Sequence, residues 1–411
     1  MPKAYAAHRR RFPSAEAIAR PYELYAEIRA EGAVVPVPGS DEYLVTRHEE
    51  ILFVNRHPEL FSNEHTIVED GYMRHATLEA RAARRIGGGS GGIMICDPPE
   101  HTAKRDVAYE YFKPGALRGY EATVNRIADE LIDGFDDAVE FVSEYAAPLP
   151  ARVIFDLLDL PQADVPRALV WGRYEGVGTR YGSLERKDVA RRALFEIVDY
   201  VTDALAERRA RPRNDVLSRF VAAHVARDPQ VETAALVPDA VGLLIGGIIT
   251  TTHMHSSAMH LLLEHPAQLD AVRADPRLVP KLLEETLRLE SPVQWQPRLC
   301  LTDTEVGGVT VPAGAIVLLL YGCANRDERV FDRPDTFDVT RADAGRDNLA
   351  FGYGIHFCLG APLARLEGRI AFERLFARVG EIRRPVDSRP VENLESTLFR
   401  GPRELQVELR S

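Results

Sequence analysis

The stretch FGYGIHFCLG, Phe351 to Gly360, places one cysteine among three glycines and three aromatic side chains. The next segment, LGAPLARLEGRIAFERLFARVG, repeats leucine and isoleucine at helical spacing, so Cys358 is predicted to lie at the start of a helix. Unpaired backbone N–H groups and the positive end of the helix dipole favour a thiolate there. Gly354 and Gly360 let the backbone fold around the sulfur. Two alternatives follow, a buried free thiol in a tight turn or a metal-ligating thiolate under a flat cofactor, and this context favours the second.

The composition excludes several classes of protein. The chain has 411 residues and a formal net charge of −11, which argues against binding to duplex nucleic acid. The longest apolar run, Ala240–Ile249, is too short to span a bilayer, so we expect a soluble, cytoplasmic protein without a membrane segment. The chain has 4 cysteines, and Cys96, Cys300 and Cys323 are predicted to be buried free thiols.

The distribution of apolar residues predicts a mainly α protein with a small β-sheet region, an α+β fold. Segments such as ALRGYEATVNRIADELIDGF show amphipathic helical spacing, whereas GAVVPVP, YLVTRH and RELQVEL are short strand candidates. The segment TEVGGVTVPAGAIVLLLYG predicts a hairpin. The glycine-rich stretch at Ile86–Gly92 is read as a flexible loop beside a site or as a plain disordered loop.

One predicted helix, in VPDAVGLLIGGIITTTHMHSSAMHLLLEHP, is about twice the average helix length. Pro238 is expected in its first turn and Pro266 at its end. Gly246 and Gly247 weaken the centre of this helix, so they either let a flat object approach the backbone or pack against a second helix. Both alternatives stay open.

The cysteine stretch resembles the F-x-x-G-x-x-x-C-x-G haem signature of the cytochromes P450, with Phe351, Gly354, Cys358 and Gly360 at its four fixed positions. The resemblance implies the cytochrome P450 fold, with a long distal helix over heme b (iron protoporphyrin IX) and Cys358 as the iron ligand. In this family the thiolate pushes electron density towards the iron and favours O–O cleavage. Residues 1–411 are then expected to form a single haem-thiolate catalytic domain without a fused reductase.

Other motifs extend the resemblance along the chain. Glu285 and Arg288 match the E-x-x-R pair that forms part of the family's structural core, and Thr336 occupies the place where many members have a third, arginine partner. In the family, contacts to the haem propionates come from positions that correspond here to His101, Arg105, Arg298 and His356.

The distal-helix pattern [AG]-G-x-[DE]-T-T aligns with Gly246–Thr251 but has Ile249 at the acidic position. In the family, that acid helps to relay protons to bound dioxygen, and isoleucine cannot carry a proton. The resemblance assigns catalytic roles to Gly247, Thr250 and Thr251. Without the acid, protons arrive through water or a substrate group, or the enzyme works slowly or with peroxide, or its chemistry differs from ordinary hydroxylation.

The function implied is a monooxygenase that inserts one oxygen atom from O2 into a small, mainly hydrophobic substrate. The expected partners are a ferredoxin or flavodoxin with its reductase, and the protein is expected to be a monomer. The alternatives are an atypical haem-thiolate oxidase, of the oxidative coupling, peroxide-using or nitric-oxide-reducing kind, and a non-enzymatic haem sensor. Residues between Ile67 and Met94 are further candidates for the pocket, whose predicted walls are Ile245, Ile248, Ile249, Val293, Trp295 and Leu398.

Overall fold

The computed structural model describes residues 15–410 except 65, 70–71, 76–91 and 172–183. Most of the glycine-rich stretch at Ile86–Gly92, and part of the expected pocket wall between Ile67 and Met94, lie outside the described residues. The α-helices of the described part are, in chain order, α1 Ala15–Ala19, α2 Pro21–Glu31, α3 His48–Arg56, α4 Glu100–Phe112, α5 Pro114–Leu117, α6 Glu121–Ile132, α7 Pro148–Leu157, α8 Val165–Trp171, α9 Leu184–Ala210, α10 Val216–Arg227, α11 Thr233–Glu264, α12 Pro266–Ala274, α13 Val279–Leu289, α14 Tyr321–Ala324, α15 Ala344–Asp347 and α16 Ala361–Arg378.

The strands are short and form small sheets beside the helices. Their bounds are β1 Val34–Pro36, β2 Glu42–Val45, β3 Phe61–Ser62, β4 Thr66–Glu69, β5 Tyr72–His75, β6 Ala138–Glu140, β7 Gln296–Cys300, β8 Thr304–Val306, β9 Val309–Val311, β10 Ile316–Leu319, β11 Glu381–Arg383 and β12 Gln406–Arg410. The largest sheet has the order β1-β2-β10-β7-β3, and β11-β12-β6 form a second. The predicted hairpin is the β8–β9 pair, and β10 joins the larger sheet.

The helices enclose one large apolar core. Within α6 the predicted apolar face is the buried one, and Val124, Ile127 and Ile132 belong to the main core cluster. Cys96, Cys300 and Cys323 are buried free cysteines, as predicted. The mainly α fold with a small β region is therefore confirmed.

Helix α11 is longer than the sequence predicted, with 32 residues, and Pro238 lies inside it rather than in its first turn. Pro238 removes one backbone hydrogen bond, and the helix continues across it because the flanking residues Val237 and Asp239 are buried in the protein. Pro266 begins α12 directly after α11 ends, as expected.

By length and composition, α11 is the one helix of the described residues that is apolar enough to cross a membrane. The expectation that no membrane-length segment is present was based on the shorter run Ala240–Ile249, so it underestimated the apolar length of this helix. A core helix of a soluble protein meets the same criterion, and α11 packs among the other helices with a long series of buried residues from Leu236 to Leu262.

Candidate active site

The loop before α16 carries Cys358 and folds back on itself. The Cys358 backbone N–H donates to the Phe351 carbonyl at 2.8 Å, and α16 begins three residues later at Ala361. Burial raises the pKa of the Cys358 thiol, while the backbone N–H groups of Gly360 and Ala361, and then Arg105, act to lower it. The helix start alone therefore does not produce the predicted thiolate. A metal cation at the sulfur would supply the missing stabilisation.

Two glycines of this loop have different roles. Gly354 has φ +74°, and a Cβ there would lie 2.5 Å from the Asn55 carbonyl oxygen, so both backbone conformation and space require glycine. Gly360 has an ordinary φ of −81°, and its Cβ position is 3.9 Å from the Cys358 sulfur. At Gly360 the distance to the sulfur is therefore an ordinary van der Waals contact, so the need for glycine is strict at Gly354.

Two arginines near this loop lack acidic partners. The Arg298 guanidinium is buried and donates to the Pro297 carbonyl at 2.7 Å and to Asn55 Oδ1 at 3.2 Å. Arg105 donates to the Phe357 carbonyl at 2.6 Å. In the part of the chain that the structure describes, neither arginine forms an ion pair with a carboxylate. A buried cation with only neutral partners is costly, so an anion from outside the protein fits this place.

The ring of His101 lies against that of His356, with centroids 4.0 Å apart. His101 is buried, and its Nε2 atom has no hydrogen-bond partner among the described residues. Burial and the nearby Arg105 lower the pKa of His101 to about 4, so the ring is neutral at pH 7. The Nε2 atom of His101, which has no partner among the described residues, needs a hydrogen-bond partner.

The residues fit a haem with its carboxylates. Cys358 offers a sulfur beside N–H donors, and Arg105, Arg298 and His101 offer unmatched polar groups that suit anionic carboxylates. Arg298 reaches the cysteine loop through Asn55, whose carbonyl faces Gly354. The fit rests on two arginines whose printed bonds go to neutral oxygens and on a histidine nitrogen without a partner among the described residues.

The sequence left two alternatives for the glycine pair of α11, the approach of a flat object to the backbone and packing against a second helix. Each glycine fits a different one. A Cβ on Gly246 would meet nothing within 4 Å, whereas one on Gly247 would lie 3.2 Å from Ile154 of α7. Gly246 therefore marks the open side of the helix, and Gly247 is a helix-packing residue. The catalytic assignment of Gly247 is corrected accordingly, because its missing side chain makes room for α7.

The neighbours of Gly246 follow from the helical period of about 100° per residue. Thr250, one turn later, is partly exposed on the open side, and its hydroxyl donates to the Gly246 carbonyl at 2.8 Å. Thr251 is buried about 140° round the helix, and Ile248 belongs to the main core cluster. Thr251 lies five residues and Ile248 two residues after Gly246, and neither spacing is a whole number of helical turns. Both side chains therefore lie away from the open side. Ile249 is buried at the edge of that side.

Both ends of the open side have identified neighbours. At one end, the Met94 methyl group lies 3.2 Å from the Cβ position of Gly242. At the other end, the Cβ position of Gly401 is 2.7 Å from Nδ1 of His253, which is buried. Met94 is an exposed large hydrophobic residue, so this part of the predicted pocket wall is available to a ligand.

The remaining predicted walls meet each other beside Gly401. Val293 forms an isolated bridge with Phe399, and the Gln294 backbone N–H donates to the Leu398 carbonyl at 2.8 Å. Trp295 is buried in a core cluster of the large sheet, with Leu398 packed against that cluster. Its indole is therefore a core side chain, and the prediction that Trp295 is a wall of the pocket is corrected accordingly. Ile245 is partly buried against the main core.

The E-x-x-R pair lies in the core and has an arginine partner that the sequence did not locate. Arg288 donates to both carboxylate oxygens of Glu285, at 2.8 and 2.9 Å, and both side chains are fully buried. Arg341 adds a third bond to Glu285 at 3.1 Å, while Thr336 contributes only its carbonyl oxygen. The role assigned to position 336 belongs to Arg341, because the loop after β10 brings this later residue back to α13.

Three further polar residues escaped the sequence analysis. Asn63 contacts His356 of the cysteine loop, Asn55 accepts from Arg298 and lies against Gly354, and no motif marks either residue. Asp239 of α11 forms an ion pair with Lys104 of α4 at 3.0 Å and accepts from the Ile93 backbone at 2.5 Å. Lys104 lies between His101 and Arg105, two of the expected propionate contacts. Its position there is the sequence signal that could have pointed to the ion pair with Asp239.

A cysteine loop, unmatched donors for carboxylates and a long helix with an open side define a haem-thiolate protein. The cytochrome P450 family model matches residues 184–407. The chain is 32% identical over 401 residues to 6-deoxyerythronolide B hydroxylase of Saccharopolyspora erythraea, covering 94% of this chain and 96% of that protein. It is 34% identical over 387 residues to vitamin D(3) 25-hydroxylase of Pseudonocardia autotrophica, covering 93% and 92%.

Solved structures agree with these relatives. The crystal structure of a cytochrome P450 from Bacillus megaterium in complex with testosterone has a TM-score of 0.84 at 27% identity, covering 96% of this chain and 99% of that one. The chain belongs to the cytochrome P450 family, and it has the P450 fold. It is a haem-thiolate monooxygenase of the bacterial type, and its cofactor is heme b.

Proposed function

We propose that the protein inserts one oxygen atom from O2 into a bulky, mainly hydrophobic small molecule, with electrons from a separate ferredoxin or flavodoxin and its reductase. The observation that carries the assignment of the site is the buried Arg298, which among the described residues has only neutral partners beside the cysteine loop. In this proposal residues 1–411 act as one catalytic unit in the cytoplasm.

Each residue of the site has a proposed task. Cys358 is the iron ligand, and the N–H groups of Gly360 and Ala361 stabilise its thiolate once the metal is bound. Arg105 and Arg298 neutralise the haem carboxylates, since both are cations without acidic partners among the described residues. His101 and His356 give hydrogen bonds to the same groups.

Phe351 closes the loop from the side of α16. Its ring lies 4.5 Å from the guanidinium carbon of Arg365 and 6.2 Å, between centroids, from Phe357. This packing holds the Phe351 carbonyl where it accepts from the Cys358 backbone. We therefore assign Phe351 a positioning task at the loop, together with Gly354.

Bound haem supplies the iron at which dioxygen is activated, and the chain must manage substrate and protons around it. The Thr250 hydroxyl donates its proton to the Gly246 carbonyl, so its oxygen faces the open side as an acceptor. In this state Thr250 can hold a water molecule or a substrate hydroxyl by accepting its proton. Ile249 adds no titratable group at the edge of the same side.

The open side of α11 supports a bulky hydrophobic substrate. Gly242 and Gly246 carry no side chains, and Met94 covers only the first of them. The two relatives are named for hydroxylation of 6-deoxyerythronolide B and of vitamin D(3), and the Bacillus megaterium enzyme was crystallised with testosterone. We propose that Met94, Ile249, Val293 and Leu398 contact a substrate of this size.

The electron donor is proposed to dock on the cysteine-loop side. Tyr353 and Phe357 are exposed there, with the Arg56 guanidinium 5.2 Å from the Tyr353 ring centroid. An acidic ferredoxin or flavodoxin matches this combination of aromatic and cationic groups. Arg56→Glu is expected to raise the donor concentration needed for half-maximal reduction, with a weaker salt dependence.

The absence of an acid at Ile249 motivates one alternative, an atypical haem-thiolate oxidase of the oxidative coupling, peroxide-using or nitric-oxide-reducing kind. The experiment compares Ile249→Asp with Ile249→Asn, which matches it in size but cannot ionise. Product formed per NADPH consumed is measured with a ferredoxin system, and product formed with peroxide is measured separately.

If proton supply limits dioxygen activation, Ile249→Asp raises product per NADPH and Ile249→Asn does not. Equal coupling in wild type and both variants means that protons use another route. Turnover with peroxide alone, and none with the ferredoxin system, would establish the alternative.

A further inference from the structure

The Asn63 side chain joins the end of strand β3 to the cysteine loop. Its backbone N–H donates to Asp97 Oδ1 at 2.8 Å, which fixes the residue beside the start of α4. Its side-chain Nδ2 donates to the Met94 carbonyl and lies 3.3 Å from Nδ1 of His356. Asn63 is buried, so water does not replace these contacts at the surface.

The Met94 carbonyl determines which way the amide points. A carbonyl oxygen only accepts hydrogen bonds, so the NH2 group of Asn63, and not its oxygen, must face Met94. The Asn63 oxygen is buried with no partner among the described residues. An unsatisfied buried oxygen is costly, which indicates that the two donor hydrogens are the useful part of this side chain.

The same NH2 group determines the tautomer of His356. One hydrogen is directed to Met94, and the other is available to His356 Nδ1. Nδ1 can accept it only if this nitrogen carries no proton, so the neutral imidazole carries its proton on Nε2. The ring of His356 lies against that of His101, whose own Nε2 lacks a partner among the described residues.

We propose that Asn63 is a positioning residue that holds His356 as the Nε2–H tautomer, so that this N–H donates to a haem carboxylate. The carboxylate contact rests on the proposed function, whereas the tautomer rests on Asn63 and Met94 alone. Asn63 thus acts on the cofactor through His356, as outer-shell partners of histidine ligands do in metal sites.

The test uses the carbon-monoxide-bound ferrous holoenzyme, which is diamagnetic and suits NMR. Ring nitrogen shifts of 15N-labelled His356 report which nitrogen carries the proton, and haem transfer to an excess of apomyoglobin reports the haem dissociation rate. The variants are Asn63→Leu, which has neither donor nor acceptor, and Asn63→Asp, which only accepts at neutral pH. The control is Ser62→Ala, which removes the adjacent bond to Asp97 and leaves the amide intact.

The wild type and the control are expected to show the Nε2–H form. Asn63→Leu mixes the two tautomers, and Asn63→Asp moves the proton to Nδ1. In both Asn63 variants haem leaves about three- to tenfold faster, the fold-change of one weakened hydrogen bond.

An Nδ1–H tautomer in the wild type overturns the proposal without any variant, so a misfolded variant does not leave it untested. An unchanged tautomer in Asn63→Leu also overturns it. A tautomer that changes while haem loss stays at the wild-type rate overturns the carboxylate contact of His356, and with it that part of the proposed function.

Discussion

Replacing Arg298 by methionine is predicted to weaken haem binding strongly while the fold persists. Methionine keeps much of the length and apolar stem of the side chain but removes the buried cation. Its two observed bonds go to neutral oxygens, of Pro297 and Asn55, and Asn55 Oδ1 keeps a second donor in the Tyr321 hydroxyl. The predicted loss is therefore the bond to the haem carboxylate.

The magnitude follows from the kind of bond. A hydrogen bond to a charged group contributes about 1.5–3 kcal/mol, and burial of this guanidinium argues for the upper part of that range. At about 1.4 kcal/mol per tenfold change, the upper half of that range means that haem should dissociate about 40- to 150-fold faster from Arg298→Met. Arg298→Lys keeps the charge but loses the planar fork, so its rate should lie between the two.

Haem transfer to apomyoglobin measures this rate directly. Arg383→Met is the matched control, because Arg383 is paired with Glu408 between β11 and β12, and it should leave haem transfer unchanged. A dissociation rate in Arg298→Met within twofold of the wild type would refute the reasoning that an external anion completes the site.

Three other predictions concern packing and burial. Gly247→Val should lower the free energy of unfolding by about 1–3 kcal/mol through overpacking, as measured by urea unfolding. Gly246→Val should leave that free energy unchanged but weaken the binding of bulky ligands, as measured by ligand titration. Burial raises the pKa of the Glu367 carboxyl well above its ordinary value, so burial favours the neutral form of this group. Stability from this group is therefore present below the unfolded pKa and is lost as pH rises, and Glu367→Gln should gain more over wild type in urea unfolding at pH 8 than at pH 5. Arg341→Met should cost about 1.5–3 kcal/mol in the same assay, because it removes one charged bond to Glu285 but leaves the pair with Arg288.

The sequence was sufficient for those features that depend on local spacing. The cysteine loop, the E-x-x-R pair on one helix and the amphipathic face of α6 all follow from residues within a few positions of one another. The haem class followed from the four fixed positions of the loop, and the family comparison supports it.

The other features of the site depend on where segments that are distant in the sequence meet in the fold. Whether Gly246 or Gly247 faces open space is set by the position of Ile154 on another helix, which no local pattern contains. Arg341 replaces Thr336 because the irregular chain after β10 returns to α13 along a path that spacing does not define. Asn63 reaches His356 across 293 positions of the sequence, so its role could be read only from the fold.

The central claim is that Cys358 binds the haem iron as a thiolate, and the spectrum of the reduced, carbon-monoxide-bound protein tests it most directly. The wild type should show the red-shifted Soret band of thiolate ligation. Cys358→His should keep its haem but shift that band to the shorter wavelength of histidine ligation. A wild-type spectrum without the red-shifted band, or the same band in Cys358→His, would contradict the assignment.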